Sequence, residues 1–261
     1  MTSRPHRGRV LFGPRLAGAV LLLVGLAVIV VGQLVSHGTS VTELVEETWA
    51  NIGSELMGIA ITVLLIDSLN ERREDRRLRE QLVREVGSSD NGMALRALRE
   101  LRAREWLSDS LVDADLSGAD LSQANLERAD LRGANLAGAR LRRANLSRGR
   151  LAGANFSAAD LTHSNLEMAN AEGATFYDAK MNHADMAYIL LADASLNSAA
   201  MQDSDLTGAD MRRADLRGTD FTAGRLDGVS LEDAQSDTHT LWPANGDTPD
   251  NMSEQRPTFG G

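Results

Sequence analysis

Residues 111–150 read LVDADLSGAD LSQANLERAD LRGANLAGAR LRRANLSRGR, and these forty residues decide the fold. Every fifth residue is apolar: Leu111, Leu116, Leu121, Leu126, and onward to Leu231 without a slip of register. Phe156, Phe176 and Phe221, Met181, Met186, Met201 and Met211, and Ala171 take the beat where Leu does not, making 25 positions at one spacing. Two residues before each stands a small residue, usually Ala, and just before each is usually Asp or Asn. A period of five matches neither the 3.6 of a helix nor the 2.0 of a strand. Apolar and small residues at fixed phase instead mark a repeated turn-and-corner unit, hence a solenoid.

This A-(D/N)-L-x-x unit resembles the pentapeptide-repeat family over about 120 residues. The resemblance implies a right-handed, four-sided β-helix in which four repeats make one coil and the Leu/Phe and small residues point inward. The expected fold class is therefore an all-β solenoid at 109–235, preceded by an α-helical transmembrane hairpin and linker helices. Residues 20 apart should stack at the strand spacing, about 4.8 Å, which places Phe156 over Phe176. Asp and Asn can bond nearby turn amides, so much of the acidity is expected to be structural. The Met residues of the later coils act as adaptable filler.

The sequence before the repeats reads as a membrane anchor. Residues 1–15 are a basic segment with Arg4, Arg7, Arg9 and Arg15. Residues 16–35 carry no charge, enough helix to cross about 30 Å of hydrocarbon and longer than the apolar core of a cleaved signal peptide. Residues 48–67 form a second apolar run containing Glu55. The competing reading for this run is an amphipathic surface helix. The linker between the runs holds Glu43, Glu46 and Glu47, whereas Arg72, Arg73, Arg76, Arg77 and Arg79 follow the second run. Positive flanks stay cytoplasmic, so two spans, both ends inside and the repeats in the cytoplasm of the cell membrane are expected. Residues 71–107 read as juxtamembrane and capping helices, Glu71 to Val86 and about Gly92 to Leu107, the first able to meet anionic headgroups. The second covers the open end of the solenoid, whose core and strand edge would otherwise be exposed. After 235 the beat fades. Asp237-Thr238 and Trp242-Pro243 resemble the ending of many family members, with Trp242 as a plug, and the rest of 236–261 has a disordered composition.

Function is harder to read. There is no Cys, which excludes a disulfide framework and thiolate metal sites. No catalytic residue set, phosphate loop or paired-His helix motif is present, so no enzyme, cofactor or metal is expected. His163, His183 and Asp203 share an outward column, but on a flat face they are read as surface decoration. The net charge of −10 belongs to the repeats and tail: residues 111–235 hold 12 basic against 19 acidic residues. Two features break the pattern. Arg140, Arg142, Arg143, Arg148 and Arg150 form a basic patch. Met168 and Tyr188 share a column, with Leu190 where Asp or Asn is usual and Ile189 where Ala is usual. Exposed apolar groups on a polar rod mark a partner site. The expectation is a non-enzymatic membrane-anchored scaffold binding a protein partner, touching the bilayer through two helices and not nucleic acid directly. Two alternatives stand beside it. Some members of the resembled family mimic DNA with an acidic rod and bind a DNA topoisomerase. The hairpin could also make the chain a membrane sensing or signalling element.

Overall fold

A computed structural model describes residues 14–35 and 42–244. The basic segment before Pro14, the link at 36–41 and the tail from 245 lie outside the described residues. The chain divides into two compact units, Met1–Arg77 and Leu78–Gly261. Among the described residues three helices precede the repeats: α1 Pro14–Val35, α2 Thr42–Val86 and α3 Asn91–Ala103. The sequence reading placed a second apolar helix at 48–67 and another from Glu71. The structure joins them as α2, because nothing between Asp67 and Glu71 breaks a helix: Ser-Leu-Asn has neither Gly nor Pro.

In the first unit α1 and α2 run antiparallel. A Cβ on Gly18 would fall 2.7 Å from Leu64, and one on Gly25 3.3 Å from the Gly53 carbonyl oxygen. Small residues allow this close approach of two backbones. Among the described residues one helix, from Asn51, is long and apolar enough to cross a membrane, and Gly18–Val28 is a shorter apolar stretch.

In the second unit the five-residue beat closes into four-sided coils. Residue pairs 20 apart form parallel bridges, from Asp115–Asn135 to Asp215–Gln235. They are isolated bridges, and no extended strand occurs among the described residues. The physical reason is the turn frequency. In every unit the small residue's N–H donates to the central carbonyl three residues back, as Ala119 to Leu116. The second residue after each central one lies at positive φ, from Asp113 at 54° to Asp233 at 58°. A three-residue-back bond with positive φ only at the third turn position defines a type II turn. Too few residues remain between turns for a strand.

Every N–H of a typical unit is accounted for, as buried backbone requires. The central residue donates to the next coil, as Leu116 to Asn135 O, and so does the second residue after it, as Gly118 to Ala137 O. The residue before the centre donates to the preceding coil, as Asn135 to Ala114 O. The small residue closes the turn. The first residue after the centre is left, and the Asp or Asn two before it accepts its N–H, as Asn155 Oδ1 from Ser157 and Asp160 Oδ1 from Thr162. This is the turn-amide role expected of the Asp and Asn residues. Where Ala200 replaces them, Asn182 of the preceding coil accepts the N–H of Gln202 instead.

The central and small residues form one core, with Phe156 and Phe176 stacked at 5.0 Å as the 20-residue register requires. At the N-terminal end α3 lies over the first coil. Asp90 caps it by accepting from Met93 N–H, and Ala94, Ala97, Leu98 and Leu101 are its buried face. It ends at Ala103, earlier than the expected Leu107, in a double bond pattern: Glu105 N–H to Arg102 O and Trp106 N–H to Leu101 O. Glu105 takes the left-handed position, φ 59°, that Gly usually fills in this motif. The indole of Trp106 then lies under the Arg79 and Arg104 guanidiniums, each 5.0 Å from a ring centroid. At the far end Trp242 stacks on Phe221 at 5.1 Å.

Candidate functional site: one corner of the rod

The four corners of each coil carry the two residues after each central apolar residue. One corner stacks Arg128, Arg148, Met168, Tyr188, Gly208 and Gly228 in successive coils. Met168 is 46% exposed and Tyr188 55%. The phenol ring covers Gly208, where an added Cβ would fall 2.7 Å from ring carbons. Leu190 stands on the adjoining side, 37% exposed, bridging Asn170 and Asp210 through its backbone. Ile189, by contrast, is fully buried and belongs to the core. The diagonal corner has one large apolar side chain, Tyr177, 54% exposed.

The basic patch does not survive as a unit. Arg140 donates to Asp120 at 3.0 Å and to Ser89 O at 3.2 Å, so it ties the first two coils to the turn before α3. Arg150 pairs with Asp130 at 3.2 Å and Arg142 with Asp160 at 3.4 Å. Arg143 and Arg148 have no carboxylate partner among the described residues. Two of the three pairs link residues 20 apart. Arg213–Asp193 and Arg225–Asp205 repeat the arrangement lower down. Sequence reasoning counted these Arg residues as a patch and missed the pairing, although the 20-residue spacing was the signal for it.

The acids are similarly occupied. Hydrogen bonds from Arg132, Arg212 and Arg217, each two residues on, hold the Asp130, Asp210 and Asp215 carboxyls below the usual carboxylate range, Asp215 at about 2. Burial pushes Asp120, Asp160, Asp205 and Asp220 up. The hydroxyls and amides of Ser122, Thr162, Thr207 and Thr222 outweigh it, and these carboxyls are lowered as well. His163 and His183 stack at 4.7 Å, with His183 Nδ1 3.9 Å from Asp203. Among the described residues no group of three or more side chains could hold a metal ion.

Coils of four five-residue turns around an aliphatic core, one end covered by a helix, define a solenoid repeat protein. Residues 110–148, 150–187 and 190–234 match the family model for pentapeptide repeats in 8 copies, and the chain belongs to the pentapeptide-repeat family through them. Its solenoid is thus the family's right-handed β-helix. No curated protein matches the chain. Among solved structures it is similar to the pentapeptide-repeat protein Rfr23 of the cyanobacterium Cyanothece 51142, 21% identical over 56% of this chain and 96% of that one, TM-score 0.35. A pentapeptide-repeat protein of the Arabidopsis thaliana thylakoid lumen is 33% identical over 38% of this chain and 66% of that one, TM-score 0.24. QnrB1, a plasmid-mediated fluoroquinolone resistance protein, is 17% identical over 51% and 88%, TM-score 0.30.

Proposed function

We propose that the chain is a non-enzymatic scaffold held at the cell membrane by the α1–α2 hairpin, with its rod in the cytoplasm recruiting a protein partner at the Met168–Tyr188–Leu190 corner. The observation that carries this reading is the corner itself. Its three side chains expose apolar surface on a rod most of whose acids and arginines are already paired. Arg148, one coil above Met168, keeps a charge free for the partner. The anchor reading is supported by the outward side chains of the hairpin, among them Leu23, Val24 and Leu26 on α1 and Ile59, Ile61, Leu65 and Ile66 on α2. The Arg residues that follow keep that end cytoplasmic. The topoisomerase-directed DNA mimic has less support, because most of the acids that would imitate phosphates bond turn amides and arginines of their own rod.

Two measurements test the proposal. The chain lacks Cys, so single cysteines report topology cleanly. A cysteine at Ser40 should react with an impermeant maleimide on intact cells, and one at Ser89 only after permeabilisation. Photo-crosslinking residues at positions 168 and 188 in the native membrane should capture one common protein that a crosslinker at Tyr177 on the diagonal corner does not. Equal capture from both corners would sink the recruiting surface.

A further inference from the structure

Beside α3 and the first coil lies a cavity of about 290 Å³, lined by Leu95, Leu98, Arg99, Arg102, Gln123 and Asn125. Its apolar part is Leu98, buried, and Leu95, half-buried. Its polar part is rich in donors. Arg99 uses Nε on its own helix, at Leu95 O, and Arg102 donates to Asn125 O and Oδ1. Neither has a carboxylate partner among the described residues. The Asn125 Oδ1 is taken by Arg102 and by the Glu127 amide, which leaves the Nδ2 donor. Arg143 follows Gln123 by 20 residues and so sits one coil on, about 4.8 Å along the axis, also without a carboxylate partner. Two guanidiniums without a carboxylate partner and two amides therefore line an apolar floor, with the third, Arg143, one coil on. They do so on a domain with 12 basic against 19 acidic residues. No acid lines the cavity.

We infer that this cavity is a binding site for the C-terminus of a partner polypeptide, its carboxylate held by Arg99, Arg102 and Arg143 and its last side chain, an apolar one, resting on Leu95 and Leu98. Guanidiniums match a carboxylate in two-point geometry. The cavity lies at the small end of ligand sites, about 300 Å³. The terminal residue of a chain is the compact group that brings an apolar side chain and a carboxylate together. Terminal-carboxylate capture by clustered donors is an established mode of peptide recognition. The inference rests on the scaffold reading, since the peptide belongs to a protein partner, but it uses residues remote from the Tyr188 corner.

The test uses the full chain in detergent and a fluorescein-labelled glycine-serine pentapeptide ending in leucine, as free acid and as amide, read by anisotropy. The free acid should bind at least ten-fold more tightly than the amide. Arg99→Glu and Arg143→Glu should each weaken the acid form at least ten-fold. Both side chains are exposed and bond no other element, so neither reversal threatens the fold. Lys180→Glu, which reverses an exposed charge nearly three coils from Gln123 and Asn125, and Tyr188→Ser should leave binding unchanged. Equal affinity for acid and amide, indifference to the two Arg reversals, or no binding at millimolar peptide overturns the inference. Displacement of the peptide by phosphatidylglycerol vesicles as effective as by unlabelled peptide also overturns it, in favour of a lipid phosphate. Loss of peptide binding with intact crosslinking at position 188 removes this site and leaves the scaffold reading standing.

Discussion

Ala158 holds φ at 55°, a left-handed conformation that L-residues avoid, and its exposed methyl group gives nothing in return. Only 8 of the 25 turn positions of this kind carry Gly; the rest carry residues as varied as Arg143, His163, Met168 and Tyr188. The strain of about 1–2 kcal/mol at each is tolerated because the coil fixes the turn from both sides. Ala158→Gly should therefore stabilise the rod by about 1 kcal/mol, the strain relieved less the extra chain entropy of Gly. A raised urea midpoint with unchanged slope would show it. The same variety explains why the turn type was not legible in the sequence. A type II turn normally announces itself by Gly or Asn at its third position, and here the signal is diluted by side chains that face solvent. The exposure of Met168, Tyr188 and Leu190 was legible for the opposite reason: they are apolar where the phase of the repeat points outward.

Each coil acts as an element that must match its neighbours in volume and charge. Ala171 is the one central position without a large side chain, and Ile189 is a large residue at a small-residue position; both are fully buried. The 20-residue register sets Ala171 over Leu191 and Ala169 over Ile189, so the two exceptions lie diagonally across adjacent coils. We read them as an exchange of volume. Ala171→Leu alone should overpack the core and cost about 1–3 kcal/mol, Ile189→Ala alone about 2–5 kcal/mol, and the double variant clearly less than their sum. Strict additivity in chemical denaturation would refute the exchange. Charge matching gives a pH dependence of definite sign. The carboxyls of Asp130, Asp210 and Asp215 are lower in the folded rod than their ordinary 3.8, Asp215 at about 2. Their contribution is present above the unfolded value and is lost as pH falls through the folded ones. The urea midpoint should hold down to about pH 4 and fall steeply toward pH 2. Asp215→Asn should make that fall shallower, and a midpoint that rises on acidification would contradict the assignment. The solenoid, its apolar core and the turn-bonding Asp and Asn were readable from one spacing, and the coil and the aromatic stack from the family resemblance that spacing carries. The cavity beside α3 was not, because it depends on where a helix of period 3.6 rests against a coil of period five, and neither pattern contains that register.

At the scale of the whole molecule, the direction of the ladder has a consequence of its own. In each unit two N–H groups point toward the C-terminal end and one toward the N-terminal end, and their partner carbonyls point the opposite ways. The surplus does not cancel around the coil, so the rod is electrically polar along its axis. Its first coil presents bare carbonyl oxygens and its last presents bare amides. The residues found at the two ends answer this polarity. Asn91 donates to the carbonyls of Asp120 and Ser122, and Arg102 to those of Asn125 and Glu127. At the other end Gly218 N–H donates to the Asp237 carboxylate and Phe221 N–H to Leu241 O. Burial works against the charge of Asp237, yet the Gly218 and His239 amides outweigh it and keep the carboxyl low. The sense is the reverse of an α-helix, whose N-terminus is the positive pole. In this rod the first coil is the negative pole, neutralised by the Asn91 and Arg102 donors, and the last is the positive pole, answered by Asp237. The two terminations are not interchangeable, and a coil added or removed between them would lengthen or shorten the dipole without disturbing either pole.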